Sequence, residues 1–531
     1  MTQINTTVVI IDCQTTGMHP NTGDIIQLAW CIYTPTSIQP KILQRWMRLP
    51  ENVTAPNKIK KLLSIDDETL NVAPTPDDVL LEFRAMLNAL KPPVYLMAHF
   101  VSFELRFLRD AFQRHLTIPL PSVIPLCTMK LSKQCFPYLP SYTLKALAGY
   151  FKYSPFTANE ASSHVQLTVF LWDKIKGILG IRNIHHIEKL NQPLIKPSNI
   201  KPMFLYQVDR AIRLKLPSKP GIYRMITHDQ RVLYIGKATS LKDRVNSYFR
   251  GIKNRDKRLL EMLTQACTIQ TETCESSFEA ELLEACEIKK WKPPYNIALN
   301  RSQGYCFYRK DFSEQMVILK DTATFLNPEF LEGPFRSSNA INDLLNVHNC
   351  LMMGADCRLH GETINVLLLT EGWQIFFARY PITHTKNWLH PRQLLALGYS
   401  LLRIFEKKEG QNRFEQWWAS KKKEQVLPQA LTSEAFAEKI FRLFIRAAIC
   451  RRQSRMIKRL LGAQLLIHAT GRTFHLKNYL TEKLQLNEPL SVVDYYDPLS
   501  VTLNALLNKR ITIVSDSKHN KIGQGIVLCN Q

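Results

Sequence analysis

Apolar residues in the first 180 positions alternate between short continuous runs and longer stretches with helical spacing. Residues 6–12 and 24–32 are rich in β-branched and aromatic side chains, which predicts buried strands. Across residues 79–90 and 159–178, apolar side chains recur every three or four positions, which predicts amphipathic helices. Further elements are predicted as a strand at 94–99 and helices that begin near 103 and 142. This order predicts an α/β domain over residues 1–180.

The pattern is interrupted over residues 181–204, where three prolines and mixed polarity predict a linker. Two apolar runs then follow at 221–226 and 231–235, separated by a polar turn. This arrangement predicts a β-hairpin. We expect it to open a small α/β domain that spans residues 205–300.

Helical spacing follows the hairpin over residues 237–249. A second helix is predicted to begin after Ser276, because Glu279 three residues later completes a capping-box pattern. The prolines at 293–294 end it. Residues 301–531 contain further helical and strand patterns and are predicted as a mixed α+β region. The predicted fold class is therefore α/β multidomain.

The composition is strongly basic, with 69 Lys and Arg against 45 Asp and Glu and a formal net charge of +24. Such an excess favours a polyanionic partner, for which nucleic acid is the default expectation. The 12 cysteines are scattered without a regular framework, which favours reduced thiols. Because no apolar run reaches bilayer length and no leader is recognisable, we expect a cytoplasmic protein without a membrane partner.

Short motifs follow one another between residues 221 and 296. They are Gly221-Ile222-Tyr223, Tyr234-Ile235-Gly236-Lys237, Arg244, Glu284 and a Pro293-Pro294-Tyr295-Asn296 segment. This set resembles the GIY-YIG nuclease domain of the UvrC excinuclease subunit and its shorter relative Cho. The order and spacing of the whole set carry the resemblance, whereas any one tripeptide alone would be weak evidence.

The residue types suit phosphodiester hydrolysis. Arg244 can present a forked donor to a phosphate, and Glu284 is a hard oxygen ligand for one Mg²⁺ or Mn²⁺. The resemblance implies that Tyr223 or Tyr234 is the general base, and the sequence does not choose between them. It also implies that Gly236 admits the phosphate, that Lys237 contacts the site and that Asn296 orients it. Taken singly, these residues are more often strand core or surface charges.

The N-terminal α/β pattern resembles the proofreading epsilon subunit of DNA polymerase III, a ribonuclease H-like 3′–5′ exonuclease. The resemblance implies four carboxylates, two metal ions and a histidine base. Here Asp12 remains, Gln14 replaces a glutamate, and Glu104 replaces an aspartate. Asn159 stands at the place of the histidine and His164 at the place of the last aspartate. These replacements predict a degenerate exonuclease site.

Two further clusters are candidates in the C-terminal region. Arg451, Arg455 and Arg459 recur at four-residue steps beside Lys458, which favours a phosphate-binding helix face over an ordinary solvated one. His348, Cys350, Cys357 and His360 include zinc ligand types, but their spacing matches no standard site. Two ordinary buried thiols are the preferred interpretation.

Three hypotheses follow for the whole chain. The first is a metal-dependent endonuclease that nicks damaged double-stranded DNA in nucleotide excision repair, loaded by UvrA/UvrB-type damage-recognition proteins. In it, the exonuclease-like domain is a docking module. The second is an active 3′–5′ exonuclease, with DNA polymerase components as partners. The third is a non-enzymatic DNA-binding scaffold. The altered exonuclease residues argue against the second hypothesis, and the intact Tyr223–Asn296 set argues against the third.

Overall fold

The computed structural model describes residues 7–34, 40–50, 53–154, 157, 159–179, 204–250, 255–297, 305–309, 317–319, 331–380, 391–409, 432–460, 462–484 and 495–516. The chain divides into two compact units. The first contains Met1–Leu216, Tyr223–Tyr234 and Lys242–Thr271, and the second contains Pro217–Ile222, Ile235–Leu241 and Glu272–Gln531. The predicted linker at 181–204 lies outside the described residues except for its last position.

A five-stranded sheet organises the N-terminal part of the first unit. Its order is β3 (Leu43–Trp46), β2 (Ile25–Tyr33), β1 (Thr7–Thr15), β4 (Val94–Ala98) and β5 (Ile124–Cys127). Strand β1 runs antiparallel to β2 and parallel to β4. The helices here are α1 (Asn57–Leu63), α2 (Asp67–Asn71), α3 (Pro76–Asn88), α4 (Val101–Leu116), α5 (Thr128–Cys135), α6 (Leu144–Tyr150) and α7 (Ala161–Leu179). The predicted α/β class is confirmed.

Both faces of this sheet are buried, which explains the continuous apolar run of β1. Successive side chains of a strand point to opposite faces. Val9 and Ile11 therefore join the core under α3 and α4, whereas Val8 and Ile10 join the core that contains Trp172 of α7. Because each fully buried aliphatic side chain contributes about 1.5–3 kcal/mol, this strand is a stable support for the residues at its end.

A second sheet has the order β7 (Val232–Ala238), β6 (Gly221–Ile226) and β8 (Thr268–Thr273), and its helices are α8 (Arg210–Leu214), α9 (Leu241–Tyr248), α10 (Lys257–Gln265) and α11 (Ser277–Trp291). The predicted hairpin is confirmed. The helix predicted from 237 begins instead at Leu241, because Lys237 and Ala238 continue the strand. Strand β8 was not predicted, since Ile269 is its one large apolar residue.

Two local features of this segment follow directly from the sequence. The capping box at the start of α11 is confirmed, since Ser276 Oγ accepts from the Glu279 N–H and the Glu279 carboxylate accepts from the Ser276 N–H. Gly221 opens β6 where a Cβ atom would lie 2.2 Å from the Glu272 carbonyl oxygen and 2.9 Å from Leu241 Cδ1. The first motif glycine is therefore required by close backbone approach.

The rest of the second unit is mixed α+β, as predicted. Its sheets are β10 (Val317–Leu319)–β9 (Tyr305–Arg309)–β11 (Leu331–Phe335), the pair β12 (Cys357–Leu359) and β13 (Glu362–Ile364), and β15 (Thr473–His475)–β14 (Ala463–Ile467)–β16 (Ile511–Asp516). The helices are α12 (Asn339–Met353), α13 (Val366–Arg379), α14 (Pro391–Glu409), α15 (Ser433–Leu460), α16 (Leu476–Leu484) and α17 (Tyr496–Leu507). Of the described helices, none has the length and apolarity needed to cross a membrane.

The C-terminal region packs directly on helix α11. Phe278 and Leu282 of α11 share a hydrophobic core with Leu480 of α16 and Leu503 of α17. Helix α11 also carries Glu284. The position of that carboxylate is consequently supported by residues more than 190 positions further along the chain.

Candidate active site

Four of the predicted exonuclease-site residues lie together at the end of β1. Gln14 Nε2 donates to Asp12 Oδ2 at 2.9 Å, and His164 Nδ1 lies 3.1 Å from the same oxygen. Glu104, in the first turn of α4, accepts the backbone N–H of Cys13 at 3.0 Å. Asn159 is exposed on the turn before α7. The predicted cluster therefore forms without the residue assigned to the place of the histidine base.

Burial raises the pKa values of both acids in this cluster. Burial raises the pKa of Asp12, although hydrogen bonds from His164 and Gln14 oppose the shift. Burial, followed by the charge of Asp12, raises the pKa of Glu104 well above its usual range. Among the described residues, no group of three or more His, Cys, Asp or Glu side chains could hold a metal ion. A degenerate exonuclease site stays a prediction, which rests on the neutral Gln14 and on His164 in place of carboxylates.

A buried histidine lies beside this cluster. His99 Nε2 lies 2.6 Å from the Tyr142 carbonyl oxygen, to which it donates, and Nδ1 lies 3.1 Å from Thr128 Oγ1. Burial lowers the pKa of His99 to about 4. The imidazole is therefore neutral at physiological pH, and its role is to join the end of β4 to the segment before α6.

This histidine predicts a pH-dependent loss of stability. Above pH 6.5 the ring is neutral in both states, but between pH 6.5 and about 4 only the unfolded chain gains the proton. The free energy of unfolding should then fall by up to about 1.4 kcal/mol per pH unit. Denaturant unfolding between pH 4.5 and 7 should show a smaller slope for His99→Gln than for wild type. His19→Gln, at an exposed position, is the control, and equal slopes for wild type and His99→Gln would refute the assignment.

Three tyrosines and an arginine form a cluster in the first unit. Tyr223 on β6 is fully buried, and its hydroxyl lies 2.7 Å from that of Tyr248 on α9. Arg244, one turn before Tyr248, hydrogen-bonds the Tyr223 hydroxyl, and its guanidinium carbon lies 5.2 Å from the Tyr248 ring centroid. The Tyr234 ring lies 6.1 Å from that of Tyr223 and is only half-buried. We call this group the tyrosine–arginine cluster.

The two candidate bases of this cluster, Tyr223 and Tyr234, differ in burial. Burial raises the pKa of Tyr223 far above its usual value, and Tyr248 and Tyr234 add to the effect. The neighbouring tyrosines, Tyr248 first, raise the pKa of Arg244, which stays charged. Tyr223 therefore stays a neutral phenol, whereas the half-buried Tyr234 can be reached by solvent.

Lysine and carboxylate groups form a separate cluster in the second unit. The Lys237 backbone N–H donates to Glu284 Oε1 at 3.1 Å. Its ammonium nitrogen lies 3.8 Å from Glu284 Oε2 and 3.3 Å from Glu281 Oε1. Glu281 and Glu284 lie one turn apart on α11 and present both carboxylates to this lysine. We call this group the lysine–carboxylate cluster.

Asn296 acts on the backbone of the motif strand. Its side-chain oxygen accepts the Ile235 N–H at 2.9 Å, and its amide nitrogen donates to the Ile235 carbonyl at 2.7 Å. Ile235 stands between Tyr234 and Gly236. The buried asparagine therefore holds strand β7 at Ile235, between these two motif residues.

The lysine–carboxylate cluster fits a single hydrated magnesium ion. Mg²⁺ usually keeps several waters and binds through one or two carboxylates. The Glu284 side chain is 15% exposed, so solvent reaches it, and its backbone hydrogen bond to Lys237 fixes one oxygen. This donor set suits one hydrated hard cation and provides no cage for a second.

The basic residues predicted to form a phosphate-binding face on α15 differ in exposure. Arg451 lies 3.6 Å from Glu332 and is 17% exposed, so its guanidinium faces the protein. Arg455 is exposed and lies over the Tyr399 ring at 5.3 Å, whereas Lys458 is exposed and Arg459 half-buried. Phosphate binding by this helix stays a prediction, with Arg455 and Lys458 best placed for it.

The histidines and cysteines that were considered as zinc ligands contact other groups of the protein. His360 Nε2 lies 3.1 Å from Asp343 Oδ2, and His348 is buried. Cys350 hydrogen-bonds Cys357, whose pKa is raised first by burial. These surroundings favour the interpretation as structural thiols.

Two residues of the clusters were not among the predicted site residues. Tyr248 follows Arg244 by four positions, so both share a helix face, and Glu281 precedes Glu284 by three. That spacing was visible in the sequence. The hydrogen bond to Tyr223 and the approach of Lys237 were not visible, because they join different elements.

Comparison with known proteins agrees with both predicted domain types. Residues 219–297 match the family model of the UvrC-like GIY-YIG domain, and residues 9–161 match the exonuclease model. A Mycobacterium tuberculosis protein whose name assigns it both exonuclease and endonuclease functions is 31% identical over 45% of this chain and 36% of its own length. UvrABC system protein C of Sphingopyxis alaskensis is 36% identical over 26% of this chain and 22% of its own length.

Solved structures of two kinds of nuclease also show similarity to this chain. The magnesium-bound GIY-YIG endonuclease domain of Thermotoga maritima UvrC is 32% identical, covers 17% of this chain and 94% of that domain, and gives a TM-score of 0.15. The Escherichia coli exonuclease I complex with single-stranded DNA is 13% identical, covers 41% of this chain and 48% of that one, and gives a TM-score of 0.31.

The chain joins an exonuclease-type domain to a UvrC-like GIY-YIG domain. This confirms the resemblance predicted from the motifs. The chain spans 36% and 22% of the lengths of the two curated relatives described above.

Proposed function

We propose that this protein is a metal-dependent DNA endonuclease that makes a single-strand incision in nucleotide excision repair. The observation that carries the proposal is the lysine–carboxylate cluster on the motif strand β7 and helix α11, where Lys237 and Glu284 are joined by a backbone hydrogen bond. The net charge of +24 supports a DNA substrate.

Each motif residue has a distinct task in this proposal. Tyr234 takes the proton of the attacking water, Arg244 binds the phosphate as a forked donor, and Glu284 holds one Mg²⁺. The ion, when bound, stabilises the negative charge that develops on the phosphate oxygens. Lys237 adds positive charge at the same carboxylate, and Gly236 leaves room for the sugar–phosphate backbone. Strand β7 supports this assignment because Tyr234, Gly236 and Lys237 all lie on it.

The partners follow from the same proposal. The substrate is damaged double-stranded DNA, and UvrA/UvrB-type proteins load the enzyme on it, with the cytoplasm as the place of action. The exonuclease-like domain is a docking module for DNA or protein, because Gln14 and His164 replace two of the metal-binding carboxylates that the family resemblance implies, and both contact Asp12. The test is nicking of a lesion-containing duplex with Mg²⁺, with and without both loading proteins. Nicking that requires the loaders supports the proposal, and its absence under every loading condition contradicts it.

The alternative function is an active exonuclease, and the double function in the name of the Mycobacterium tuberculosis relative favours it. This alternative has its own test. We expect no processive release of nucleotides from 3′-ended DNA with Mg²⁺ or Mn²⁺, and no effect of Asp12→Asn on the products. The physical reason is that the Gln14 and His164 replacements leave too little negative charge for two cations. Quantification of released mononucleotides checks this, and robust digestion lost in Asp12→Asn would overturn it.

A further inference from the structure

The backbone of Arg510 is hydrogen-bonded on both sides directly before strand β16. Its backbone N–H donates to the Ala505 carbonyl at 2.9 Å, at the end of α17, and its own carbonyl accepts the His468 N–H at 3.1 Å. The backbone is thus anchored on both sides. The side chain therefore extends from a Cα atom whose position is fixed by these two hydrogen bonds.

The guanidinium of Arg510 reaches helix α11. Its Nη2 donates to Glu281 Oε2 at 2.7 Å, while Oε1 of the same carboxylate lies 3.3 Å from Lys237 Nζ. Glu281 therefore bridges an arginine of the C-terminal region and the lysine of the motif strand. All three residues belong to the second unit.

This bridge joins the Lys237 ammonium to a third charged group. The lysine side chain is 45% exposed, and an exposed pair of two long side chains holds a single geometry only weakly. An ion pair contributes more when several charges form a network. Arg510 makes this pair a network of three charges, because it binds the Glu281 oxygen that Lys237 does not face.

We propose that Arg510 is a positioning residue that sets the Lys237 ammonium beside Glu284 by holding the Glu281 carboxylate. The C-terminal region would thereby complete the GIY-YIG site. This inference rests on the proposed endonuclease function and extends it to a region for which the motifs predict no catalytic part. Arg510 acts through Glu281 and Lys237.

The prediction separates turnover from metal binding. Arg510→Gln in the full chain should lower kcat for nicking at saturating Mg²⁺ about tenfold, at the low end of the effect of outer-shell partners. Binding of Mn²⁺ to the protein without DNA, followed by electron paramagnetic resonance, should not weaken. The reason is that Glu284 stays in place and a positive charge has been removed from its surroundings.

Two single variants and one double variant distinguish positioning from a loosened C-terminal region. Arg472→Gln removes another arginine contact to this segment, at 2.9 Å from Glu275, and should leave both readouts at wild-type values. Arg510→Lys keeps a cation near Glu281 and should restore part of kcat. In a Lys237→Met background, Arg510→Gln should have no further effect, since coupled residues are not additive.

Several outcomes would overturn the inference. They are an unchanged kcat in Arg510→Gln, an equal loss in Arg472→Gln, loss of Mn²⁺ binding together with kcat, and full additivity with Lys237→Met. Nicking by wild type that is lost in Glu284→Gln but not in Arg510→Gln would overturn this inference alone. Absence of nicking by wild type would overturn the proposed function as well.

Discussion

Replacing Glu284 with glutamine should lower the nicking rate of the full-length chain by at least about a hundredfold at saturating Mg²⁺. The amide removes the negative charge that holds the cation, and amides are weaker ligands for Mg²⁺ than carboxylates. It keeps an oxygen that can accept the Lys237 N–H at the 3.1 Å contact, so α11 should keep its place. Single-turnover nicking over a Mg²⁺ titration measures the effect.

The matched control lies one turn further along the same helix. Glu287→Gln removes the same charge from α11 at a half-buried position. We expect less than a threefold change in nicking there, because surface charges act weakly on a site at a distance. Equal losses in both variants would mean that the charge of the helix matters in general, and Glu284 would lose its assignment as ligand.

Replacing Tyr234 with phenylalanine should lower the nicking rate by about a hundredfold to ten-thousandfold, the usual contribution of a general base. The ring that faces Tyr223 at 6.1 Å is preserved, so packing and DNA affinity should stay at wild-type values. The measurements are single-turnover rates and DNA binding in Ca²⁺. Tyr206→Phe, at a half-buried tyrosine of the preceding segment, is the control and should nick normally.

The opposite result would reassign the base. If Tyr234→Phe nicks at the wild-type rate and Tyr223→Phe does not, the buried tyrosine is the proton acceptor despite its raised pKa. That outcome would require the Arg244 hydrogen bond to compensate for the burial of the Tyr223 hydroxyl. A loss in Tyr206→Phe of the same size would indicate damage to the fold rather than to the chemistry.

Much of the local structure could be predicted from the sequence because short-range patterns determine it. The hairpin of β6 and β7 and the capping box at Ser276 depend on residues less than twenty positions apart. Strand β1 was also predictable from neighbouring residues, because burial on both faces of the sheet gives it a near-continuous apolar run. Helix α9 began later than predicted, since the pairing of β7 extends the strand through Ala238.

The parts that escaped prediction depend on long-range packing. Arg510 donates a hydrogen bond to Glu281, 229 positions away, and no periodicity in either segment predicts that contact. His164 was assigned to the last acidic position of the exonuclease pattern, and the structure places its ring beside Asp12, 152 residues away. The sequence showed which residue type had changed, whereas only the structure shows that Gln14 and His164 both bond to the remaining aspartate.

The central claim is that cleavage belongs to the GIY-YIG domain and not to the exonuclease-like domain. The most direct test compares wild type, Glu284→Gln and Asp12→Asn on one lesion duplex labelled at both ends, with Mg²⁺ and both loading proteins. We predict one discrete nick that is lost in Glu284→Gln and kept in Asp12→Asn. A ladder of products shortened from the 3′ end, lost in Asp12→Asn and kept in Glu284→Gln, would contradict the claim.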